Sequence, residues 1–444
     1  MSGRRRVVWS SILATGLALL ALSALAWSVV PASEEDAVAP LRPVTKIDRQ
    51  VEEDAQSMLD RGRSIFRMST FRSQSFFGGV LRLHEAVATV PPKTALAVGL
   101  KVDADAVPPQ VLANADLDDP ATTIALLRLD AVVGVRGVFD PAQTANGGLK
   151  SLGVTCAFCH STVDDSVAPG IGHRLDGRPN RDLNVGAIIG LSPNLQALAD
   201  RLNTDVPTVK AVLAAWGPGK FDASLFMDGK GFRPDGKTAA VLIPPAYGLA
   251  GVNLHTYTGW GSVPYWNAFV ANLEMNGKGT FFDPRLADAA KFPLAAAHHL
   301  EDKKDPVDAV TGKLADLHFY QLALLAPEPP AGSFDAAAAS RGGALFAGKA
   351  ACATCHVPPL YTDPGWNLHS AEEIGIDDFQ AQRSPTERYR TTPLKGAWSR
   401  SKGGYYHDGR FATLADVVEH YNQFQRLDLT AAEKADVVEF LKSL

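Results

Sequence analysis

The sequence predicts a mainly α-helical chain with two small domains of the same kind in tandem, preceded by an N-terminal membrane anchor and a helical extension. Two observations predict the tandem: a Cys-x-x-Cys-His pentad occurs twice, and a related segment follows each copy further along the chain. A long uncharged run near the N-terminus predicts the anchor. The expected parts are residues 1–31, 32–149, 150–332 with an insertion at about 187–240, and 333–444.

The anchor is predicted from the run between Val7 and Val30, which holds 24 residues without a charge behind a basic start. A bilayer needs about 20 such residues. Trp9 and Trp27 lie about 27 Å apart on a helix, which matches the aromatic belts of a spanning helix. We expect a signal anchor or transmembrane helix over residues 1–31, with the rest of the chain on the periplasmic side of the inner membrane.

A cleaved signal peptide is the alternative, because Ala24-Leu25-Ala26 offers a small-x-small cleavage site. Cleavage would give a soluble periplasmic protein. The rest of the composition is that of an ordinary globular protein, with 46% hydrophobic and 20% charged residues. The net charge of −5 is mild, so nucleic acid is not expected as a partner.

The extension over residues 32–149 contains two segments with helical periodicity, residues 51–68 and 122–139. Residues 90–110 contain four prolines and predict a loop with short extended pieces. We find no chemistry-bearing pattern in this extension. It is expected to be a lead-in to the first pentad.

The pentads consume all four cysteines of the chain, and each has its own histidine. A zinc site would not require both histidines, and no βαβ pattern supports a thioredoxin-like pair. In c-type haem attachment both thiols bond the porphyrin, and the adjoining histidine reaches the iron. We therefore expect two covalently attached haem c groups. The residues that hold them are Cys156, Cys159 and His160 for the first, with His160 on its iron, and Cys352, Cys355 and His356 for the second, with His356 on its iron.

The last part of the chain is typical of a small cytochrome c domain. A helix is predicted before the second pentad with Ser333 as its N-cap, and Thr430 with Glu433 forms a capping box at the start of a final helix. Residues 405–421 also align weakly with residues 257–273. The spacing between the two pentads is longer than the spacing between these two aligned segments. The first half therefore contains extra residues, and this insertion is expected at about residues 187–240.

The segments "IGHRLDGRPN" and "GGYYHDGRFATLADVVEHY" resemble those of the bacterial di-haem cytochrome c peroxidase and MauG family, here with a long N-terminal extension. The resemblance implies a distal histidine at His173 and an electron relay between the haems at Trp260. The family's distal glutamate has no counterpart at the same spacing, and Glu274 is the nearest candidate. The loop around His255 is a further candidate for the distal side.

The resemblance also implies a calcium ion held by the Asn180 side chain, and Tyr421 as the sixth ligand of the second haem iron. The residues alone leave that ligand open, because no methionine follows Met275. It is Tyr421 or a histidine, or it is absent. The candidate histidines are His369, His407 and His420.

The function expected is an exported di-haem oxidoreductase that reacts with hydrogen peroxide at the first haem and transfers electrons through the second. Two alternatives remain: a haem-dependent oxygenase of the di-haem rubber-oxygenase type, which would take dioxygen, and a non-enzymatic electron-transfer cytochrome. The expected partner is a periplasmic electron donor such as a small cytochrome.

Overall fold

The computed structural model describes residues 45–142 and 145–444. The predicted membrane anchor lies outside these residues. Within them, no helix combines the length and the apolar character needed to cross a bilayer. The described residues are 44% helical, and residues Gln56–Leu444 form one compact unit that contains both pentads.

Most helices are short, and many begin at a proline or at an aspartate, serine or threonine N-cap. The α-helices are Lys46–Met68, Leu83–Val87, Pro92–Ala97, Pro109–Ala113, Pro120–Arg128, Ala157–His160, Val185–Gly190, Gln196–Arg201, Val206–Trp216, Leu225–Asp228, Val263–Phe269, Pro293–Ala297, Leu314–Ala323, Ala336–Ala347, Phe379–Gln382, Leu414–Phe424 and Ala431–Ser443. Two π-helical turns are Ser75–Val80 and Val270–Glu274.

The strands of the described residues pair only in twos, which gives small ribbons around the helices. They are Val102–Asp103 with Ile171–Gly172, Val135–Phe139 with Leu149–Val154, Ser161–Val163 with Arg174–Asp176, Lys220–Phe221 with Val241–Leu242, and Thr280–Phe282 with Asp302–Lys304. The architecture is therefore a mixed one, in which helices predominate. The sequence predicted a mainly helical chain but not these ribbons.

The helix predicted over residues 122–139 is correct only in its first half. Pro120–Arg128 is helical, but Asp130 takes a left-handed conformation and Val135–Phe139 is a strand. Between them Gly134 has a positive φ of 78°, and a side chain there would lie 2.1 Å from the Phe158 backbone nitrogen. The chain must bend here to reach the first pentad, and this tertiary requirement overrides the helical periodicity.

The extension is not a separate lead-in, because its apolar residues belong to the same core as the first pentad. This core runs from Phe66 and Phe71 through Leu127 and Leu149 to Leu183. Residues 92–97, predicted as loop, form a helix that begins at Pro92, where a proline is tolerated. The described part of the extension therefore builds the wall of the first half.

The predicted insertion packs on that core as well. Its helix Val206–Trp216 crosses Val185–Gly190 closely, and an added Cβ at Gly186 would lie 2.0 Å from the Leu213 carbonyl oxygen. The insertion is also tied to the second half through the fully buried guanidinium of Arg383. That group binds Asp228 at 2.7 Å and Asp222 at 3.1 Å.

The second pentad has its own core, formed by Phe346, Ala350, Val418, Val437 and Leu441 with a few neighbours. The capping box of the final helix is confirmed. The helix before the pentad starts later than predicted. Its N-cap is Asp335, not Ser333, because the Asp335 carboxylate accepts the Ala338 N–H.

The two segments of the weak sequence repeat share a local structure, in a register two residues away from that of the alignment. A bridge between His255 and Gly261 closes a loop before the helix Val263–Phe269, and a bridge between Tyr405 and Phe411 does the same before Leu414–Phe424. Both bridges join residues six positions apart. The loop and helix that follow each pentad are therefore built alike.

The final helix crosses Ala336–Ala347 at Gly342, where a Cβ would lie only 2.0 Å from the Asp436 carbonyl oxygen. We expect Gly342→Ala to lower the free energy of unfolding by about 1–3 kcal/mol, the usual cost of overpacking. Gly190→Ala is the control, since no atom lies within 4 Å of its added methyl group. Chemical denaturation of both variants measures the difference, and equal stabilities would contradict the close crossing.

Candidate haem sites

The first pentad follows the strand Leu149–Val154 and occupies the short helix Ala157–His160. Burial raises the pKa of the Cys156 and Cys159 thiols to about 12. The Nδ1 atom of His160 lies 3.1 Å from the Pro244 carbonyl oxygen. A carbonyl can only accept, so Nδ1 carries the proton and Nε2 is left with a lone pair for a metal.

A cavity of about 370 Å³ opens beside Cys156, Cys159 and His160. Its wall is almost entirely apolar and comes from three parts of the chain: the extension, the insertion and the segment after it. Representative wall residues are Phe77, Leu83 and Leu96 from the extension, Leu198, Val212 and Trp216 from the insertion, and Trp260, Trp266 and Met275 from the later segment. Such a wall suits a large, flat, apolar group.

The second pentad begins at a 3₁₀ turn, Cys352–Thr354, behind Ala351 in a left-handed conformation. His356 repeats the arrangement of His160, with its Nδ1 atom 3.1 Å from the Tyr361 carbonyl oxygen. Burial lowers the pKa of His356 to about 4, so its ring is neutral. Both pentad histidines therefore present an unprotonated Nε2.

The four cysteines do not converge on one point. Among the described residues, the only cluster of three or more His, Cys, Asp or Glu side chains with atoms close enough to share an ion is Cys355, Asp363 and His369. A four-cysteine zinc site is therefore excluded. Each pair of cysteines serves its own histidine.

Three arginines near the two sites are without a carboxylate partner in the described part of the chain. Arg181 donates to the Lys402 carbonyl and Arg390 to the Leu254 carbonyl. Arg400 donates to the Pro393 carbonyl. Burial and the charge of Arg400 lower the pKa of Arg390 to about 10. Mutually repelling buried cations call for anions, and the two propionates of a haem are anions. No sequence motif marks these arginines, because they are scattered along the chain.

Trp260 is buried and lines the first cavity, and its indole N–H is without a hydrogen-bond partner. Its loop also touches the second half. Thr386 donates to the Thr258 carbonyl at 2.7 Å, and an added Cβ at Gly259 would lie 2.5 Å from Leu368. Trp260 therefore lies in a segment that borders both halves, as a relay requires.

Glu274 ends the π-helical turn Val270–Glu274 and lines the same cavity. Both of its carboxyl oxygens are buried without a hydrogen-bond partner. Burial raises its pKa well above the usual range, which the nearby Arg201 charge only partly offsets. The cavity thus contains a neutral carboxylic acid with a proton to give. His255 also lines this cavity, with its pKa lowered to about 3 by burial.

His173 is not brought to the cavity. Its side chain is 60% exposed, and its Nδ1 atom lies 2.8 Å from an Asp105 carboxylate oxygen. That hydrogen bond and the charges of Asp105 and Asp164 raise the pKa of His173. The adjoining strand Arg174–Asp176 pairs with Ser161–Val163, which turns the His173 side chain toward the surface. The resemblance therefore placed the right segment next to the pentad, but the side chain points away.

Asn180 is buried, yet its amide is already used on both sides. Its Nδ2 donates to the Gly99 carbonyl at 2.8 Å, and its Oδ1 accepts the Asp182 N–H. The ammonium groups of Lys101 and Lys402 both bind Asp182. These positive charges and the occupied amide do not fit a calcium ion, which needs free oxygen ligands. No calcium enters the function proposed below.

Tyr421 lies on the helix Leu414–Phe424, close to the thiols of Cys355 and Cys352. Burial raises the pKa of its phenol, and the neighbouring Tyr406 hydroxyl lowers it in part. The phenol is therefore within reach of the group that the second pentad would hold. His369 lies beside the same pentad, with a ring nitrogen within 4.8 Å of the Cys355 thiol.

Two of the three candidate histidines have a hydrogen-bond partner on Nε2. Nε2 of His420 lies 2.8 Å from the Ile374 carbonyl oxygen, and Nε2 of His369 lies 2.7 Å from an Asp363 carboxylate oxygen. Nε2 of His407 is buried without a partner, but its ring stacks on Tyr389. Tyr421 and His369 thus both lie beside the second pentad, and His407 has a buried nitrogen without a hydrogen-bond partner.

Part of the chain is similar to known haem proteins. No family model matches. MauG, the methylamine utilization protein of Methylorubrum extorquens, is 31% identical over a region that covers 24% of this chain and 34% of MauG. Cytochrome-c peroxidase IdrP1 of Denitromonas iodatirespirans is 30% identical over 24% of this chain and 40% of that protein. The chain therefore matches little more than a third of the length of these relatives.

Solved structures give a weaker likeness. A MauG-like protein associated with microbial copper homeostasis is 19% identical with a TM-score of 0.32, over 49% of this chain and 76% of that chain. Hydrazine synthase of Kuenenia stuttgartiensis is 19% identical with a TM-score of 0.27, over 46% and 72%. These scores are too low to carry an argument about this fold.

Because both pentads are complete and both histidines present a free Nε2, we expect two covalent haem groups per chain. Intact-mass measurement after export should give the polypeptide mass plus two haem units. Cys355→Ala with Cys352→Ala should remove one unit and leave the first haem in place. A mass with one haem or none, or stoichiometric zinc, would contradict this expectation.

Proposed function

We propose that the chain is an exported di-haem c-type oxidoreductase that reduces hydrogen peroxide at the first haem and draws electrons through the second. The observation that carries this proposal is the buried, unpartnered carboxyl of Glu274, which faces the cavity beside His160. The relatives named MauG and cytochrome-c peroxidase support the same class of chemistry.

The residues present fit two haems. The first would be bonded to Cys156 and Cys159 with His160 on its iron, and the second to Cys352 and Cys355 with His356 and Tyr421 on its iron. Bound there, haem supplies an iron centre that exchanges electrons with peroxide. Arg181, Arg390 and Arg400 would neutralise the propionates.

Glu274 supplies the proton chemistry. Reduction of peroxide to water consumes protons at the oxygen atoms, and a positioned acid accelerates such a step. A carboxyl group buried in an apolar wall keeps its proton near neutral pH. The charge of the nearby Arg201 offsets part of that rise in the pKa of Glu274.

Trp260 and Tyr421 would handle the electrons. Trp260 borders both halves, so it can pass an electron from the second site toward the first. A phenolate is a hard anionic ligand that stabilises oxidised iron, unlike a methionine ligand. We therefore propose that Tyr421 would favour the oxidised state of a haem held at the second site, which would make that site a poor entry point for electrons from a small periplasmic cytochrome.

The alternatives are less well supported. A non-enzymatic carrier needs a sixth protein ligand on both irons. His173, the predicted ligand of the first, lies at the surface, and Nε2 of His255 is hydrogen-bonded to the Val252 carbonyl oxygen at 2.9 Å. A haem oxygenase acting on an apolar substrate fits the apolar wall, but not an acid aimed into the cavity. We propose the periplasmic side of the inner membrane as the location, with either an anchored or a cleaved N-terminus.

Glu274→Gln keeps the size of the side chain and removes its acid. We expect the rate of the peroxide reaction to fall about 10²–10⁴-fold, the usual contribution of a general acid or base. In the native protein the rate should decline as the pH rises through the raised pKa of Glu274, because only the protonated form donates. That decline should be absent in the variant. Stopped-flow absorption after mixing with peroxide measures both.

His173→Ala is the matched control, since the exposed imidazole does not reach the cavity. Its peroxide rate and haem spectrum should remain those of the native protein. A large change in this variant together with no change in Glu274→Gln would assign the distal role to His173 and contradict the proposal.

The Tyr421 ligand is tested by Tyr421→Phe and Tyr421→Met. We expect the first to make the second iron accessible to cyanide, and the second to raise its reduction potential with a sulfur-to-iron band in the near infrared. Optical titration and redox potentiometry measure these effects. If Tyr421→Phe leaves a six-coordinate low-spin second haem, the ligand is another residue, and His407→Ala would be the next variant to compare.

A further inference from the structure

An aromatic cluster leads outward from the first cavity. Trp260 and Trp266 both line that cavity, and their ring centroids are 5.6 Å apart. Tyr265 does not line the cavity, but its ring centroid lies 5.8 Å from that of Trp266. Phe269 and Phe292 fill the space around these rings. The rings of Trp260, Trp266 and Tyr265, which can all be oxidised, thus form a continuous path that begins at the cavity wall.

The path ends at a tyrosine with a base. The Tyr265 hydroxyl donates to an Asp283 carboxylate oxygen at 2.5 Å. Arg285 binds the same carboxylate at 2.8 Å and places its guanidinium 5.3 Å from the Tyr265 ring. Burial alone would raise the pKa of Asp283, but the hydrogen bonds from Arg285 and Tyr265 outweigh it and lower the pKa. Asp283 is therefore a carboxylate, ready to accept a proton.

Unlike Tyr265, the two tryptophans have no base to accept their proton. The indole N–H groups of Trp260 and Trp266 are buried without an acceptor. An oxidised indole there would keep its proton and remain a strong oxidant. Oxidation of Tyr265 can be coupled to transfer of its proton to Asp283, which avoids a charged phenol radical. An oxidising equivalent on the path is therefore driven from Trp266 to Tyr265.

Resting on the peroxidase function proposed above, we propose that Tyr265 is a redox-active residue that carries one oxidising equivalent from the first site toward the protein surface. Hydrogen peroxide is the ultimate oxidant. One electron leaves Tyr265 for the oxidised indole of Trp266, and the Tyr265 proton moves to an Asp283 oxygen. A one-electron reductant at the surface then reduces the tyrosyl radical to the phenolate. The return of the proton from Asp283 restores the phenol.

The end of the path is accessible from outside. The Arg285 side chain, which lies 5.3 Å from the Tyr265 ring, is 41% exposed. The surface at Tyr265 therefore carries a cation. Such a surface suits an aromatic or anionic one-electron donor that cannot enter the cavity.

The chain offers a matched control in Tyr320. Its hydroxyl also donates to a carboxylate, Asp176, at 2.7 Å. Its ring contact is with Phe66, which is not redox-active, and it does not line the first cavity. Tyr320 therefore has the base but lacks the tryptophan path, and the two tyrosines differ in the one feature that the proposal uses.

The experiment mixes the di-haem protein with one equivalent of hydrogen peroxide and follows freeze-quenched samples by electron paramagnetic resonance. We expect a tyrosyl signal, narrowed by ring-deuterated tyrosine, that is lost in Tyr265→Phe and retained in Tyr320→Phe. Trp266→Phe should delay the signal. In Asp283→Asn, which removes the base, the signal should be lost or form more slowly. Unchanged haem absorption in the resting variants verifies that they are folded.

The outcomes separate the two proposals. A normal change of haem absorption with peroxide, combined with no tyrosyl signal or with one that persists in Tyr265→Phe, would overturn the role of Tyr265 and leave the peroxidase function standing. No change of haem absorption with peroxide would overturn the peroxidase function, and the role of Tyr265 with it.

Discussion

The hydrogen bond between His160 and the Pro244 carbonyl is the contact on which the first site depends. It fixes the ring and its tautomer, and it ties the pentad to the segment around Pro244. The same segment donates from Leu242 to the His407 carbonyl at 2.7 Å and from Ala246 to the Gly177 carbonyl at 2.8 Å. The geometry of the first iron ligand is thus coupled to the second half through one stretch of backbone.

The second link between the halves is electrostatic. Arg383 is fully buried with Asp222 and Asp228, and it also donates to the Ala239 carbonyl at 3.1 Å. Removing one member of such a group leaves an uncompensated buried charge, which costs about 3–5 kcal/mol. The link holds the insertion in register with the second half. Since the insertion also forms part of the cavity wall, that wall depends on an ion group outside the cavity.

The sequence was informative where chemistry is local. The pentads and the Thr430–Glu433 capping box follow from residues close together in the chain. The cavity wall could not be predicted, because its apolar residues come from the extension and the insertion, neither of which has a motif. His173 was misplaced for a similar reason: sequence spacing locates its strand, but the pairing of Arg174–Asp176 with Ser161–Val163 decides which way the side chain points.

The two carboxyl groups near the first site show how environment divides the work. Glu274 lies in an apolar wall without hydrogen bonds, so its pKa is raised and it retains a proton. Asp283 receives hydrogen bonds from Arg285 and Tyr265, so its pKa is lowered and it remains an anion. Glu274, with its raised pKa, is therefore the acid on the cavity side of the aromatic cluster. Asp283, with its lowered pKa, is the base at the outer edge of that cluster. Protons would therefore enter the reaction on the cavity side, while the oxidising equivalent leaves in the opposite direction along Trp266 and Tyr265.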